Sequence, residues 1–268
     1  HLDVSGEELG NNYPEALPLL GDAKATLEVM LDRGRPIDRT VADSRAQANR
    51  MAREAFMASL SGCFSREGSP VHPMRFVREL ERALPENALI VADPGISAVY
   101  ASAFLKLKGP GRKWIVNFSV GALGYGLPAG LGASYAHDGP VVVLTGDGSF
   151  GFTAGELETL KRSGRDVKVV LFNNECFGWI RATSRFSSGW SRFATDFSET
   201  DYPAVARGFG LEAGRAADSA TLSRTLDEMF RQKGPFFLEM PVLPEDEQVP
   251  PVPEWAEEAA RLGLDCPY

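Results

Sequence analysis

Residues 146–151 read Gly-Asp-Gly-Ser-Phe-Gly and follow the apolar run "PVVVLT". Glycines between a strand and a helix let main-chain amides close on a phosphate. A carboxylate among them, Asp147, would repel that phosphate unless a cation lay between the two anions. The next apolar run, "VKVVLFNN" (167–174), ends in Asn173-Asn174, with 24 residues between Gly148 and Asn173. A strand–helix–strand crossover brings the ends of both runs to the same edge of a parallel sheet, side by side or nearly so. One carboxylate, one amide oxygen, a main-chain carbonyl and phosphate oxygens form a hard donor set suited to octahedral Mg²⁺. Asp147 and Asn174 are therefore candidate metal ligands. Gly146, Gly148 and Ser149 are candidate phosphate-binding positions, and the helix after them is expected to open with a Thr153–Glu156 capping box.

Other chemistries compete for the same letters. Gly-Asp-Gly-Ser-Phe-Gly also matches G-x-G-x-x-G, the dinucleotide fingerprint. That fingerprint normally follows the first strand of its domain, and here at least two strands precede it. Taken alone, residues 146–151 suit a generic strand-to-helix turn and Asn173-Asn174 the start of a loop; it is their combination that points to a metal. The three histidines, His1, His72 and His137, come without a G-x-S-x-G elbow, so no serine hydrolase is indicated. His72 is expected to orient a helix start, and Cys176 to be a small buried residue rather than a nucleophile.

The elements that must position these residues alternate. Helices at 74–84, 97–107, 126–136, 154–163, 202–209 and 220–231 are interleaved with strands at 88–93, 113–118, 140–147, 167–174, 211–213 and 236–240. Continuous apolar strands separated by helices mean an α/β fold: a doubly wound parallel sheet with helices on both faces. Ahead of it, residues 1–34 hold a short strand (Leu2–Val4) and a helix (Ala23–Leu31), too little for a core of their own. Residues 35–70 read as a linker with a polar amphipathic helix over 38–62. The main domain is expected over 71–245, and 246–268 as a Pro-rich, briefly helical tail. Net charge is −8 with no basic patch, which argues against nucleic acid. No stretch of 18 apolar residues suggests a membrane span. Three scattered cysteines argue for reduced thiols and a cytoplasmic setting.

Gly-Asp-Gly, a spacer of this size and Asn-Asn together resemble the diphosphate-binding signature of thiamin-diphosphate (ThDP) enzymes. "NYPEALPLLGDAKATLEVML", "GALGYGLPAGLGA", "GDGSFGFTAGELETL" and "KVVLFNNECFGWI" resemble the acetohydroxyacid (acetolactate) synthase-like branch over nearly the whole chain. In that branch the first phrase closes the central domain and the rest belong to the C-terminal, diphosphate-binding domain. The resemblance implies that Asp147, the side chain of Asn174 and the carbonyl of Cys176 are the protein ligands of Mg²⁺. It implies diphosphate contacts from Gly148, Ser149 and the backbone around Phe177 and Gly178. The Gly121 carbonyl matches the acceptor for the aminopyrimidine 4′-amino group, and Leu123 the apolar prop that keeps the cofactor bent. Asp93-Pro94-Gly95-Ile96-Ser97 matches a further diphosphate loop. Two departures stand out: many relatives have Met at the Leu123 position, and relatives often have Gln and His where this chain has Ile96 and Ser97. Read from the residues alone, Gly121, Gly124 and Gly126 would be close-packing glycines and Leu123 ordinary core.

The resemblance also implies what must come from elsewhere. No catalytic residue is expected on this chain, because the glutamate that helps ionise the cofactor belongs to a pyrimidine-binding domain. A second polypeptide carrying that domain is the expected partner, making this chain a split, self-associating subunit. The implied reaction decarboxylates a 2-oxo acid and passes the resulting unit to a carbonyl acceptor, with simple decarboxylation as the variant. FAD, which some members of the branch hold in the central domain, is left undetermined. A non-catalytic scaffold subunit is the alternative. The aromatic cluster Phe177, Trp179, Phe186, Trp190 and Phe193 is either core or a mobile flap over the substrate, and the flap is the preferred reading. The arginines interleaved with it, Arg181, Arg185 and Arg192, either steer an anionic substrate or form a solvated face.

Overall fold

A computed structural model describes all residues except 15–16, 37, 110–112, 186–192, 249, 262 and 264–268. The chain forms two compact units, His1–Ser59 and Leu60–Tyr268. In the first, β1 (Leu2–Asp3) pairs in parallel with β2 (Leu19–Leu20), a strand too short to leave a periodic signal in the sequence. Helix α1 (Ala23–Arg33) starts at Asp22, whose side chain accepts from the Ala25 amide at 2.9 Å, and α2 covers Arg39–Ser59. No described residue of this unit is buried, and Leu27, Val29, Met30 and Leu31 are each more than half exposed.

The second unit opens with the short α3 (Ser61–Phe64) and α4 (Pro73–Ala83). His72 is the N-cap of α4, its Nδ1 accepting from the Met74 amide at 3.2 Å, as the sequence suggested. There follow β3 (Leu89–Ala92), α5 (Ile96–Phe104), β4 (Trp114–Val116), α6 (Gly126–Ala133), β5 (Val141–Gly146), α7 (Asp147–Thr153), α8 (Glu156–Ser163) and β6 (Val167–Asn173). The chain continues through α9 (Gly178–Thr183), α10 (Tyr202–Gly208), β7 (Glu212–Arg215), α11 (Ser219–Arg231), β8 (Phe236–Pro241) and α12 (Pro253–Arg261). Six strands make one sheet in the order β4-β3-β5-β6-β8-β7, every pair parallel. The expected doubly wound α/β fold is what forms.

Both sheet faces are dry because every residue of β3, β5 and β6 except Gly146 is buried. Alternate residues point to opposite faces. Val91, Val141, Val143, Val167, Val169 and Leu171 share a core with Leu127, Leu131, Phe150, Leu157 and Leu160 of α6, α7 and α8. On the other face Phe76 of α4 meets Phe172 edge-on, ring centroids 5.0 Å apart. Fully buried Lys168 of β6 donates to the carbonyls of Gln232 and Gly234, both at 2.7 Å, and so ties down the end of α11.

Two local expectations are corrected. Asp147, expected to end its strand, instead begins α7, and the turn expected before a helix at 154 is helical too, Gly148 and Gly151 included. The Thr153–Glu156 capping box does not form. Ala154 and Gly155 keep helical dihedrals, so α7 runs almost directly into α8 and leaves no extended residue to act as a cap.

Helix α6 rests on β5 through Gly130, where an added Cβ would overlap Cγ2 of Val143. Gly130→Ala should overpack this contact and lower stability by about 1–3 kcal/mol. Urea unfolding checks this; an unchanged midpoint would show that α6 can lift without cost.

Candidate functional site

Parallel pairing fixes where the two asparagines and the aspartate stand. Gly146, the last residue of β5, is in register with Phe172 of β6, so Asp147 and Asn174 leave neighbouring strands at the same edge. The sheet switches direction between β3 and β5, since the chain proceeds from β3 outward to β4 and from β5 outward to β6. Ligands of open α/β sheets bind at that crevice, beyond the strands' carboxyl ends. A cavity of about 420 Å³ lies there.

Nearly all the residues singled out from sequence line this one cavity. Gly146, Asp147, Gly148 and Ser149 come from the β5–α7 junction; Asn174, Cys176, Phe177 and Gly178 from the turn after β6. Gly95 and Ile96 come from the β3–α5 junction, and Gly121 and Leu123 from the turn before α6. Ser97 is the exception: it lies in the first turn of α5, is buried and does not reach the cavity wall.

The glycines divide by cause. Gly121 has φ +69° and Gly95 φ +141°, and an added Cβ at either would meet nothing within 4 Å. They serve to turn the backbone, not to make room for packing. A Cβ on Gly148 would sit 2.8 Å from the Phe177 ring, and one on Gly126 would sit 2.7 Å from Asp93 Oδ2. Gly126 also donates its amide to Asp93 Oδ1 at 2.9 Å, which ties the start of α6 to the tip of β3. Gly151, the third glycine of the dinucleotide fingerprint, meets nothing within 4 Å. The fingerprint needs that glycine for close helix–strand packing, so the NAD reading loses its geometric basis.

Asp147 is 3% exposed. Its Oδ1 accepts from the Gly148 amide at 2.8 Å, while Oδ2 is buried with no hydrogen-bond partner. Burial pushes this carboxyl up to about 7; the amides of Gly148, Glu175, Asn174 and Cys176 face it and oppose the rise. None of the last three closes a bond on Oδ2. A buried carboxylate oxygen without a donor is chemically suited to a cation, and Asn174 lines the same cavity. Among the described residues no three His, Cys, Asp or Glu side chains cluster as a metal site.

Glu245 is the residue the sequence did not flag. It sits in a Glu-Asp-Glu run after the last strand, which reads as solvated charge. Instead the chain leaving β8 turns across the tip of β6, with the Val242 amide donating to the Asn173 carbonyl at 2.9 Å. Glu245 ends buried in the cavity wall, its Oε2 accepting from Asn174 Nδ2 at 2.7 Å. Burial first, then the charges of Asp147 and Asp246, push it up to about 8.

The arginine reading is corrected. Arg181 is buried, and its guanidinium pairs with Asp196 at 3.2 Å and with Asp246 at 3.1 Å, so it neither faces solvent nor awaits a substrate. Arg185 donates to the Asp246 carbonyl. Trp179 stacks obliquely on Trp255 of α12, ring centroids 4.7 Å apart, and packs in a small core with Ala182 and Ala259. Phe177 packs edge-on against Phe197 at 4.7 Å. Phe193 is exposed. Phe186, Trp190 and Arg192, the remainder of the expected flap, lie outside the described residues. Burial pushes the Cys176 thiol up to about 12, which bars it from acting as a nucleophile at neutral pH.

Residues 93–240 match the family model described as "Thiamine pyrophosphate enzyme, C-terminal TPP binding domain". The chain belongs to the thiamine pyrophosphate enzyme family. Thiamine pyrophosphate is ThDP under its other name, and the resemblance read from the motifs is borne out. The chain is 27% identical to the acetolactate synthase of Arthrospira platensis over 267 residues, 98% of this chain and 45% of that protein. It is 29% identical to the chloroplastic acetolactate synthase of Arabidopsis thaliana, across 94% of this chain and 38% of that one. A probable acetolactate synthase large subunit of Methanocaldococcus jannaschii is 27% identical, across 94% and 43%. The chain thus spans less than half the length of these relatives. No helix among the described residues is long and apolar enough to cross a membrane.

Burial of two acids fixes a pH dependence. In the unfolded chain Asp147 and Glu245 lose their protons near their ordinary 3.8 and 4.5; folded, they hold them to about 7 and about 8. The folded state binds more protons in that window, so stability falls as pH rises through it. The metal-free chain should therefore melt at lower temperature at about pH 8 than at about pH 6. Asp147→Asn, which cannot ionise, should flatten the slope and raise the midpoint at about pH 8 by at least about 2–4 °C, the shift given by 1 kcal/mol in a domain of this size. Calorimetric melts across pH test it. A variant less stable than its parent at the higher pH would contradict the burial argument.

Proposed function

We propose that this chain is the diphosphate-binding subunit of a heteromeric, ThDP- and Mg²⁺-dependent enzyme. In this reading the enzyme decarboxylates a 2-oxo acid and transfers the resulting unit to a carbonyl acceptor, as an acetolactate synthase-like carboligase. One observation carries it: the buried, unpartnered Oδ2 of Asp147 beside Asn174, at the crevice edge of paired strands. The relatives' shared description as acetolactate synthases supports the choice of reaction.

Asp147, the Asn174 side chain and the Cys176 carbonyl would hold the Mg²⁺. The metal would neutralise the diphosphate that Asp147 alone would repel. The Ser149 amide lies in the first turn of α7, where helical amides have no intrahelical acceptor, and would donate to a phosphate oxygen; Gly148, whose own amide serves Asp147, would let the phosphate come close. The turns at Gly95–Ile96 and Phe177–Gly178 would close the same groove. The Gly121 carbonyl would accept from the aminopyrimidine, and Leu123 would prop the cofactor from below. When bound, ThDP supplies the electron sink for decarboxylation. What this chain contributes is placement and charge neutralisation.

The activating glutamate is assigned to a second polypeptide with a pyrimidine-binding domain. Titrating ThDP into the chain, with and without Mg²⁺, should give binding only with the metal, and Asp147→Asn should abolish it. Turnover of a 2-oxo acid should appear only when the partner chain is added. Metal-independent ThDP binding would overturn the metal assignment; turnover by this chain alone would overturn the split site.

A further inference from the structure

An amide side chain is nearly symmetric in shape but not in chemistry: one end donates, the other accepts. A metal ligand asparagine must present its oxygen, so something has to decide which way the amide faces. At Asn174 that decision is visible. Nδ2 donates to Glu245 Oε2 at 2.7 Å, and Oδ1 is left on the side of the Cys176 amide, which donates to it at 3.3 Å. The Cys176 amide also faces the Asp147 carboxylate. The oxygen end of Asn174 thus lies against the same amide that faces Asp147, while Glu245 holds the nitrogen end.

We propose that Glu245 is a positioning residue for the metal site: its carboxyl oxygen holds the Asn174 amide with Oδ1 toward Asp147. The proposal rests on the reading of Asp147 and Asn174 as metal ligands. Oε2 accepts from Nδ2 whether or not Oε1 carries a proton, so the orientation does not depend on the charge of Glu245. The surroundings are built around this contact. A Cβ on Gly178 would overlap the Glu245 carboxyl group, so the first residue of α9 must be glycine for the acid to reach Asn174. The neighbouring Asp246 is fully buried and clamped by Arg181 at 3.1 Å, which fixes the segment that carries Glu245. That segment returns over the tip of β6 through the Val242–Asn173 hydrogen bond. A side chain there merely filling space would have no need to be acidic: an isolated buried carboxyl is costly, and a leucine would fill the volume.

Partners that orient metal ligands typically account for tenfold to a hundredfold in metal affinity. The test uses Mn²⁺ as probe, with ThDP, on the full chain, read by electron paramagnetic resonance. Glu245→Leu should weaken Mn²⁺ binding by about tenfold to a hundredfold. Glu245→Gln keeps an oxygen that can accept from Nδ2 and should recover most of that loss. In an Asn174→Ala background, Glu245→Leu should cost no further affinity. Should the leucine variant fail to fold, Glu245→Ala takes its place. Unchanged affinity in Glu245→Leu overturns the proposal, as would a glutamine variant as weak as the leucine one, which would assign the effect to charge. Additive losses in the double variant overturn it too. If the parent chain itself binds no Mn²⁺ with ThDP, the reading of the site fails, a result distinct from all of these.

Discussion

A carboxylate oxygen held out of water without a hydrogen-bond donor is the constraint on which this site depends. Water would satisfy Asp147 Oδ2 at no cost on the surface, and a serine or amide donor would satisfy it inside. Instead it is buried at the junction of β5 and α7, three main-chain amides facing the group without closing on that oxygen. The expense is electrostatic: the group resists ionisation until something positive arrives. In the proposed reading a divalent ion would remove that resistance and turn the destabilising charge into an anchor. The fold supports this by close packing everywhere else, with both faces of β3, β5 and β6 sealed by helices.

The crossing of the chain over the tip of β6 binds the rest together. The turn after β6 is pinned from one side by the bridge between Cys176 and Asp196, and from the other by the segment leaving β8. Arg181 stands between these two, paired with Asp196 and with Asp246. A guanidinium can hold two carboxylates in fixed directions, which a lysine cannot do as well. The residues that touch the cavity are thus placed by an ion-pair network one layer behind it, in which Arg181 and Asp246 are buried and Asp196 is half exposed. Breaking such a network leaves uncompensated charge in a dry place, so the turn is rigid for electrostatic reasons as much as steric ones.

Much of this was legible in the letters. Apolar runs ending in Gly-Asp-Gly and Asn-Asn gave both the parallel strands and the juxtaposition of their tips, because parallel pairing leaves little freedom once two strands are joined by a short helix. Local helix boundaries were less so: Asp147 read as a strand end and the residues up to 153 as a turn, yet the dominant factor was the burial of Phe150 against Tyr202 and Phe237, which a helix achieves and a loop does not. The arginines were misjudged because charge along a sequence says nothing of which acid folds back to meet it: Asp246 lies 65 residues from Arg181. Glu245 was hidden for the same reason, its 71-residue separation from Asn174 being set by how β8 inserts beside β6.

The glycines show how little of the cavity wall depends on side-chain identity. At Gly95 and Gly121 the backbone takes dihedrals that side chains resist, and there is open space where a side chain would go. At Gly148 and Gly178 the opposite holds: the backbone is ordinary, and a neighbouring side chain fills the space. Both kinds leave main-chain atoms, not side chains, exposed along the cavity. Main-chain amides and carbonyls are the same in every residue, so the neighbouring positions are free to change so long as the turns survive. Ile96 illustrates this: it lines the cavity at the start of α5, where the Gly95 turn rather than its side chain shapes the wall. In the proposed reading, only groups whose chemistry the backbone cannot supply, a carboxylate at 147 and an oriented amide at 174, would have to be held as side chains.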